Sequence, residues 1–242
     1  MIVIPRKKTV PPLDKSGHIK IMGSGGVISP NDPLERCQYS EAEIRAIVDE
    51  CARHGAYVCA HCHPSEAIRR CVEFGVRSIE HGTLIDEETA ALVAKKGAYV
   101  VPTLSVCSAL MDDGARLGLS QASRQKLATV HGRTLRGLEI MKRAGVKMGF
   151  GTDLLGEQHT RHGTEFTLRN EVLTPFEILH SATAVNAEIL QMEGKLGVIK
   201  PGALADILVV DGDPLDDIGL LAADGRYITH IMIDGRLIKC AR

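Results

Sequence analysis

Aromatic side chains make up only 3% of the 242 residues, and no basic stripe is interleaved with them. A nucleic-acid surface is therefore not expected. Charge of one sign is also missing: Lys+Arg 29 nearly cancel Asp+Glu 30, so no net field favours a polyanion or an anionic membrane. The longest apolar runs fall far short of the roughly 20 residues that span a bilayer. The first residues, MIVIPRKKTVPPLDKSGH, lack an apolar core and a small-residue cleavage site, as a secretory signal would need. The seven cysteines are odd in number and irregularly spaced, which suits reduced thiols better than a disulfide framework. Together these absences lead us to expect a soluble, cytoplasmic protein without nucleic-acid or membrane partners. Hydrophobic residues at 44% are ample for a core.

What is present is a local unit repeated four times: an amphipathic run, a glycine, then a short apolar strand. The copies are ARHGAYVCAH, VEFGVRSIEH, AKKGAYVVPT and KRAGVKMGFGTD, with glycines at Gly55, Gly75, Gly97 and Gly145. Glycine suits the left-handed position that ends a helix. The apolar residues after it run on without alternation, as in parallel strands buried on both faces. Ser40-Glu41-Ala42-Glu43 reads as a capping box opening a helix through His54. Helices are also expected over 65–74 and 86–96, with one longer helical stretch over about 120–144. With HIKIM upstream, five strands are expected, ending near Met22, Cys62, His81, Leu104 and Asp153. Strands alternating with helices imply right-handed βαβ units and a parallel sheet.

Polar residues at the strand ends favour a (β/α) barrel, whose chemistry sits at the C-terminal ends of its strands. Lys20, His61 with His63, His81 and Asp153 occupy those ends. Taken singly, each has an ordinary reading: a hydrogen-bonded loop histidine, a Thr-Asp turn, a lysine on a solvated face. Their recurrence across successive βα units points instead to a shared site. Imidazoles and a carboxylate are sound ligands for zinc or a related divalent ion. A lysine ammonium cannot ligate, so Lys20 belongs in the set only as a carbamate formed with CO2.

Together these motifs resemble the amidohydrolase superfamily, in the branch of imidazolonepropionase-related hydrolases and Xaa-Pro dipeptidases (prolidases). IKIMGSGGVISPNDP is similar to that branch's fourth strand and loop, AHCHP to its fifth, SIEHG to its sixth and GFGTD to its eighth. The tail HSATAVNAEILQMEGKLGVIKPGALADILVVDGDPLDDI resembles the closing helix and return strands. The resemblance implies an α/β fold: a partial TIM-type (β/α) barrel over 18–195, strands four to eight, preceded by an irregular lead-in at 1–17. Residues 196–242 would supply C-terminal strands of a small β-sandwich, including 206–210 and 228–233. It also implies Thr174-Pro175-Phe176-Glu177 as a helix cap, with proline at the first helical position.

For the site, the resemblance implies metal ligands Lys20, His61, His81 and Asp153, one or two divalent ions (zinc foremost), and Asp153 as the catalytic proton carrier. Ser24, Gly25 and His63 would face the substrate, a dipeptide or other small molecule. His159, Arg161 and His162 suit either a carboxylate site or a solvated loop. The family's His-x-His of strand one is not found, because His61-Cys62-His63 stands in strand five. On that ground the chain is expected to lack the front of the barrel, to act weakly alone, or to complete itself by pairing with another copy or chain. Alternative readings are a non-catalytic remnant or partner subunit, and a cyclic amide hydrolase or deaminase. His63-Pro64 after His61 counts against the deaminase.

Overall fold

The computed structural model describes residues 17–241; the expected lead-in therefore lies almost entirely outside the described residues. The described residues divide into two compact units, one comprising residues 17–102 and 110–148, the other 103–109 and 149–241.

The first unit is built on five parallel strands: β1 (His18–Met22), β2 (Tyr57–Pro64), β3 (Ser78–Leu84), β4 (Tyr99–Val101) and β5 (Lys147–Met148). They lie side by side in sequence order, all parallel. A doubly wound sheet reverses its order at a switch point. An unreversed succession with right-handed helical crossovers stacks its helices on one side, so this is the wall of a (β/α) barrel.

The intervening helices follow from their caps. Helix α1 (Glu41–Arg53) starts on the Ser40–Glu43 capping box, and α2 (Ser65–Glu73) begins directly after β2. Asp86 caps α3 (Glu87–Lys96) by accepting from the Thr89 amide. Gly55, Gly75, Gly97 and Gly145 all adopt positive φ, between 66° and 101°, as the repeated pattern predicts. The long helix expected near 120–144 is instead two, α5 (Gln121–His131) and α6 (Thr134–Arg143), with Gly132 and Arg133 between them. Another difference is α4 (Leu104–Asp113), which begins where the fourth strand was expected to end. Only three residues of that segment pair as β4.

The parallel register sorts the side chains. Val58, Ala60, Cys62, Ile79 and Val100 are almost completely buried on the helix-facing side. The opposite face carries the polar layers: Lys20, Cys59, Ser78, Tyr99 and Lys147 are in register, and one layer further along stand Met22, His61 and Glu80.

The second unit contains α7 (Thr164–Arg169), α8 (Pro175–His180) and α9 (Asn186–Ile189). Thr174 and Glu177 form the expected capping box, with Pro175 in the first turn. Residues Ser181–Val185 form a π turn that joins α8 to α9. Three antiparallel strands follow, β6 (Ile207–Val210), β7 (Ile228–Ile233) and β8 (Arg236–Cys240), in the order β6-β7-β8. Among the described residues no helix is long and apolar enough to cross a membrane.

Gly137 in α6 tests the packing of a helix onto the site-bearing strands. A Cβ there would lie 2.7 Å from the Thr83 carbonyl oxygen of β3. Alanine is the better helix former by about 1 kcal/mol, but the clash reverses the sign. Gly137→Ala is expected to destabilise the protein by about 1–3 kcal/mol, read as a lower denaturation midpoint. An unchanged or raised midpoint would show that α6 does not press on β3.

Candidate active site

Three imidazoles come together in the first unit. His61 and His63 stand on β2 and His81 on β3. Ring centroids are 4.6 Å apart for His61–His81, 4.8 Å for His61–His63 and 5.0 Å for His63–His81. Strict strand alternation would not produce this, because His61 is in register with Glu80, while His81 pairs with Cys62, whose side chain faces the helices. The answer lies in the backbone. His81 has φ 75°, a left-handed conformation that a non-glycine residue adopts only when its surroundings hold it there. The pleat is broken at His81 and at Gly82 after it (φ 61°), and the ring joins those of β2.

The loop after β1 completes this part of the site. Ser24 is fully buried, and its hydroxyl accepts from the His63 backbone N–H at 3.2 Å. His61 Nε2 lies 3.4 Å from the Gly25 carbonyl oxygen. A carbonyl only accepts, so Nε2 carries the hydrogen in this contact and an incoming cation would compete with it. A Cβ on Gly25 would overlap the Pro33 carbonyl oxygen, which makes glycine obligatory there. His63 Nδ1 and the Thr83 hydroxyl are 3.3 Å apart. From α5, Lys126 donates to the carbonyls of Gly26, Ser29 and Asp32, and holds the loop in place.

Burial sets the protonation states. It pushes the imidazole of His61 down to about 4 and that of His63 to about 3. His81 is held well below the ordinary value, by burial first and then by the two neighbouring rings and the Lys20 charge. All three are therefore neutral at pH 7, the form in which imidazole ligates a metal. Lys20, mid-strand in β1, is exposed rather than enclosed. Its ammonium charge opposes protonation of both His61 and His81.

Among the described residues, no group of three or more His, Cys, Asp or Glu side chains is disposed to hold a metal by itself. The fit to a divalent ion consequently rests on paired neutral imidazoles plus a ligand outside those four residue types. Two imidazoles sharing an ion at about 2.1 Å bring their ring centres to within ~5 Å of each other, in keeping with the His61–His81 spacing. Asp153 belongs to the second unit, five residues past β5, and is exposed with φ 53°. The GEQHTRH segment forms a 3-10 turn over Gly156–Arg161, where His162 Nδ1 donates to the His159 carbonyl at 2.7 Å. Of the residues the sequence reading passed over, Thr83 supports His63, and Glu80 shares the polar layer of His61 while accepting from Ser78 at 3.0 Å. Alternation counted from His61 would have found Glu80.

Residues 5–238 match the amidohydrolase family profile. The chain belongs to the amidohydrolase family. It is 32% identical over 222 residues to ochratoxinase from Aspergillus niger, covering 91% of this chain and 46% of that one. A prolidase crystallised with N-methylphosphonate-L-proline superposes with a TM-score of 0.91 at 51% identity, over 93% of this chain and 55% of the other. A Xaa-Pro dipeptidase crystallised with methionine gives 0.85 at 32% identity, over 93% and 55%. The chain thus spans about half the length of the relatives it matches.

The depressed imidazoles make acid sensitivity a signature of this cluster. Each takes up its proton on unfolding, so its contribution to stability is complete above about pH 6.5 and is lost as pH falls toward 4 for His61 and 3 for His63. Thermal midpoints of the metal-free protein should drop through that window, and His63→Asn should flatten the fall. An equally steep fall in the variant would show that His63 is not buried neutral.

Proposed function

We propose that the protein is a metal-dependent hydrolase of amide bonds in small peptide-like substrates, of Xaa-Pro dipeptidase type. The observation that carries this reading is the convergence of three neutral imidazoles, obtained by a left-handed backbone at His81. The likeness to a prolidase crystallised with N-methylphosphonate-L-proline supports a substrate with proline on the leaving side.

In this reading His61 and His81 would hold a divalent ion, zinc foremost, with Lys20 as its carbamate. Carbamylation changes an ammonium that repels a cation into an anionic oxygen ligand, and its exposure leaves Lys20 open to CO2. When bound, the ion supplies an activated water near neutral pH and polarises the scissile carbonyl. Asp153 takes the proton of the attacking water and delivers it to the leaving nitrogen. Ser24 fixes the strand end carrying His63, and His63 and Gly25 line the substrate side.

Elemental analysis of the purified protein should find about one or two divalent ions per chain, and the loaded protein should cleave Ala-Pro or an N-acyl amino acid. Lys20→Ala is expected to lower the metal content, with partial return on adding acetate. A folded protein that takes up no metal would favour the non-catalytic reading. Deamination or lactam opening without dipeptide cleavage would place the chain with another reaction class. Metal content unchanged in Lys20→Ala would remove Lys20 from the site.

A further inference from the structure

Beyond β5 the strand ladder stops, yet the chain must still deliver Asp153. Two side chains take over there. The Asn186 amide of α9 meets both backbone groups of Phe150: its Oδ1 accepts from the Phe150 N–H at 2.9 Å, and its Nδ2 donates to the Phe150 carbonyl at 3.0 Å. Asparagine here acts as one rung of a missing neighbouring strand. One residue earlier, Arg169 Nη1 donates to the Gly149 carbonyl at 2.8 Å, and its guanidinium lies 4.7 Å from the Phe150 ring centre.

Arg169 is itself anchored. Its Nε donates to Glu165 Oε1 at 2.7 Å, and both side chains are completely buried. The other carboxylate oxygen of Glu165 accepts from the backbone N–H and hydroxyl of Ser105, each at 2.8 Å. A buried ion pair is an inefficient way to stabilise a fold, since apolar replacements often do as well or better. What this one does provide is a backbone fixed at residues 149 and 150, three residues before an aspartate with φ 53°. Aspartate tolerates that region, as Asp224 and Asp234 do in exposed turns, so what marks this backbone as held is the pair of grips on Gly149 and Phe150.

The geometry points to Asn186 as a positioning residue for Asp153, acting through the Phe150 backbone, with Arg169, itself anchored by Glu165, gripping the adjoining carbonyl. This rests on the reading of Asp153 as proton carrier. Asparagine is specified because the Phe150 backbone asks for one acceptor and one donor. Aspartate would oppose a carbonyl with a second acceptor, and leucine would satisfy neither group.

The test compares Asn186→Leu and Asn186→Asp with Val93→Ala, a control that opens the buried face of α3 in the first unit. In metal-loaded protein, Asn186→Leu should lower kcat on Ala-Pro by roughly 100-fold with KM changed less than about threefold. Asn186→Asp should fall in between, and Val93→Ala should lower Tm while sparing kcat. If Asn186→Leu does not fold, Asn186→Asp carries the same comparison. A kcat within about threefold of the parent, or an equal loss in Val93→Ala, overturns the proposal. If the parent protein cleaves no dipeptide, the hydrolase reading fails by itself. The positioning claim is then decided by the Asp153 13Cγ resonance, assigned by its loss in Asp153→Asn. At a fixed pH its chemical shift should move in the Asn186 variants and not in Val93→Ala; an unmoved resonance overturns it.

Discussion

The arrangement of the first unit depends on the two-residue pleat of its parallel strands. One face must be apolar because helices cover it, and Val58, Ala60, Cys62, Ile79 and Val100 meet that demand. Whatever alternates with them falls on the other face, so Lys20, Cys59, Ser78 and Tyr99 share a layer by register alone. The site is built where this constraint is relaxed. At His81 a left-handed residue turns one side chain out of its assigned face and sets it beside the rings of β2. Strain is concentrated there because the buried strand on either side holds the backbone in place.

Much of this architecture was legible in the sequence because it is locally determined. The four glycines end helices by the same physical necessity wherever they occur, and the capping boxes at Ser40 and Thr174 are complete within four residues. Continuous apolar runs marked the parallel strands, and β7 has the expected bounds, 228–233. The break at Gly132 and the onset of α4 at Leu104 were not legible. An isolated glycine is tolerated inside a helical pattern, so Gly132 alone does not mark a break, and the apolar run through Leu104 reads equally as strand.

The site was legible in its residue types and less so in its geometry. His61, His63 and His81 could be named from strand-end position, but periodicity alone would have placed His81 on the wrong face. A positive φ at histidine leaves no trace in composition. Thr83 escaped notice because an isolated threonine in a strand is ordinary; its role comes from the 3.3 Å approach to His63 across two strands. Glu165 and Arg169 were hidden for a related reason. On a short helix an acidic and a basic residue four apart look like a solvated surface pair, and only folding reveals that both are completely buried.

The π turn at Ser181–Val185 has a consequence for the spacing of this segment. A wider turn accommodates roughly one residue more than an α turn and so resets the helical phase by about 100°. At its first residue, Ser181 Oγ donates to the Ile178 carbonyl at 2.7 Å and lies 3.5 Å from Arg169 Nη1. Downstream, Asn186 points at the backbone of Phe150. The two halves of one rod thus address different partners, and the number of residues between them becomes as constrained as their identity. Beyond the identity of Ser181, the count of residues in 181–185 is itself constrained, because a single-residue deletion would turn the Asn186 side chain away from the Phe150 backbone.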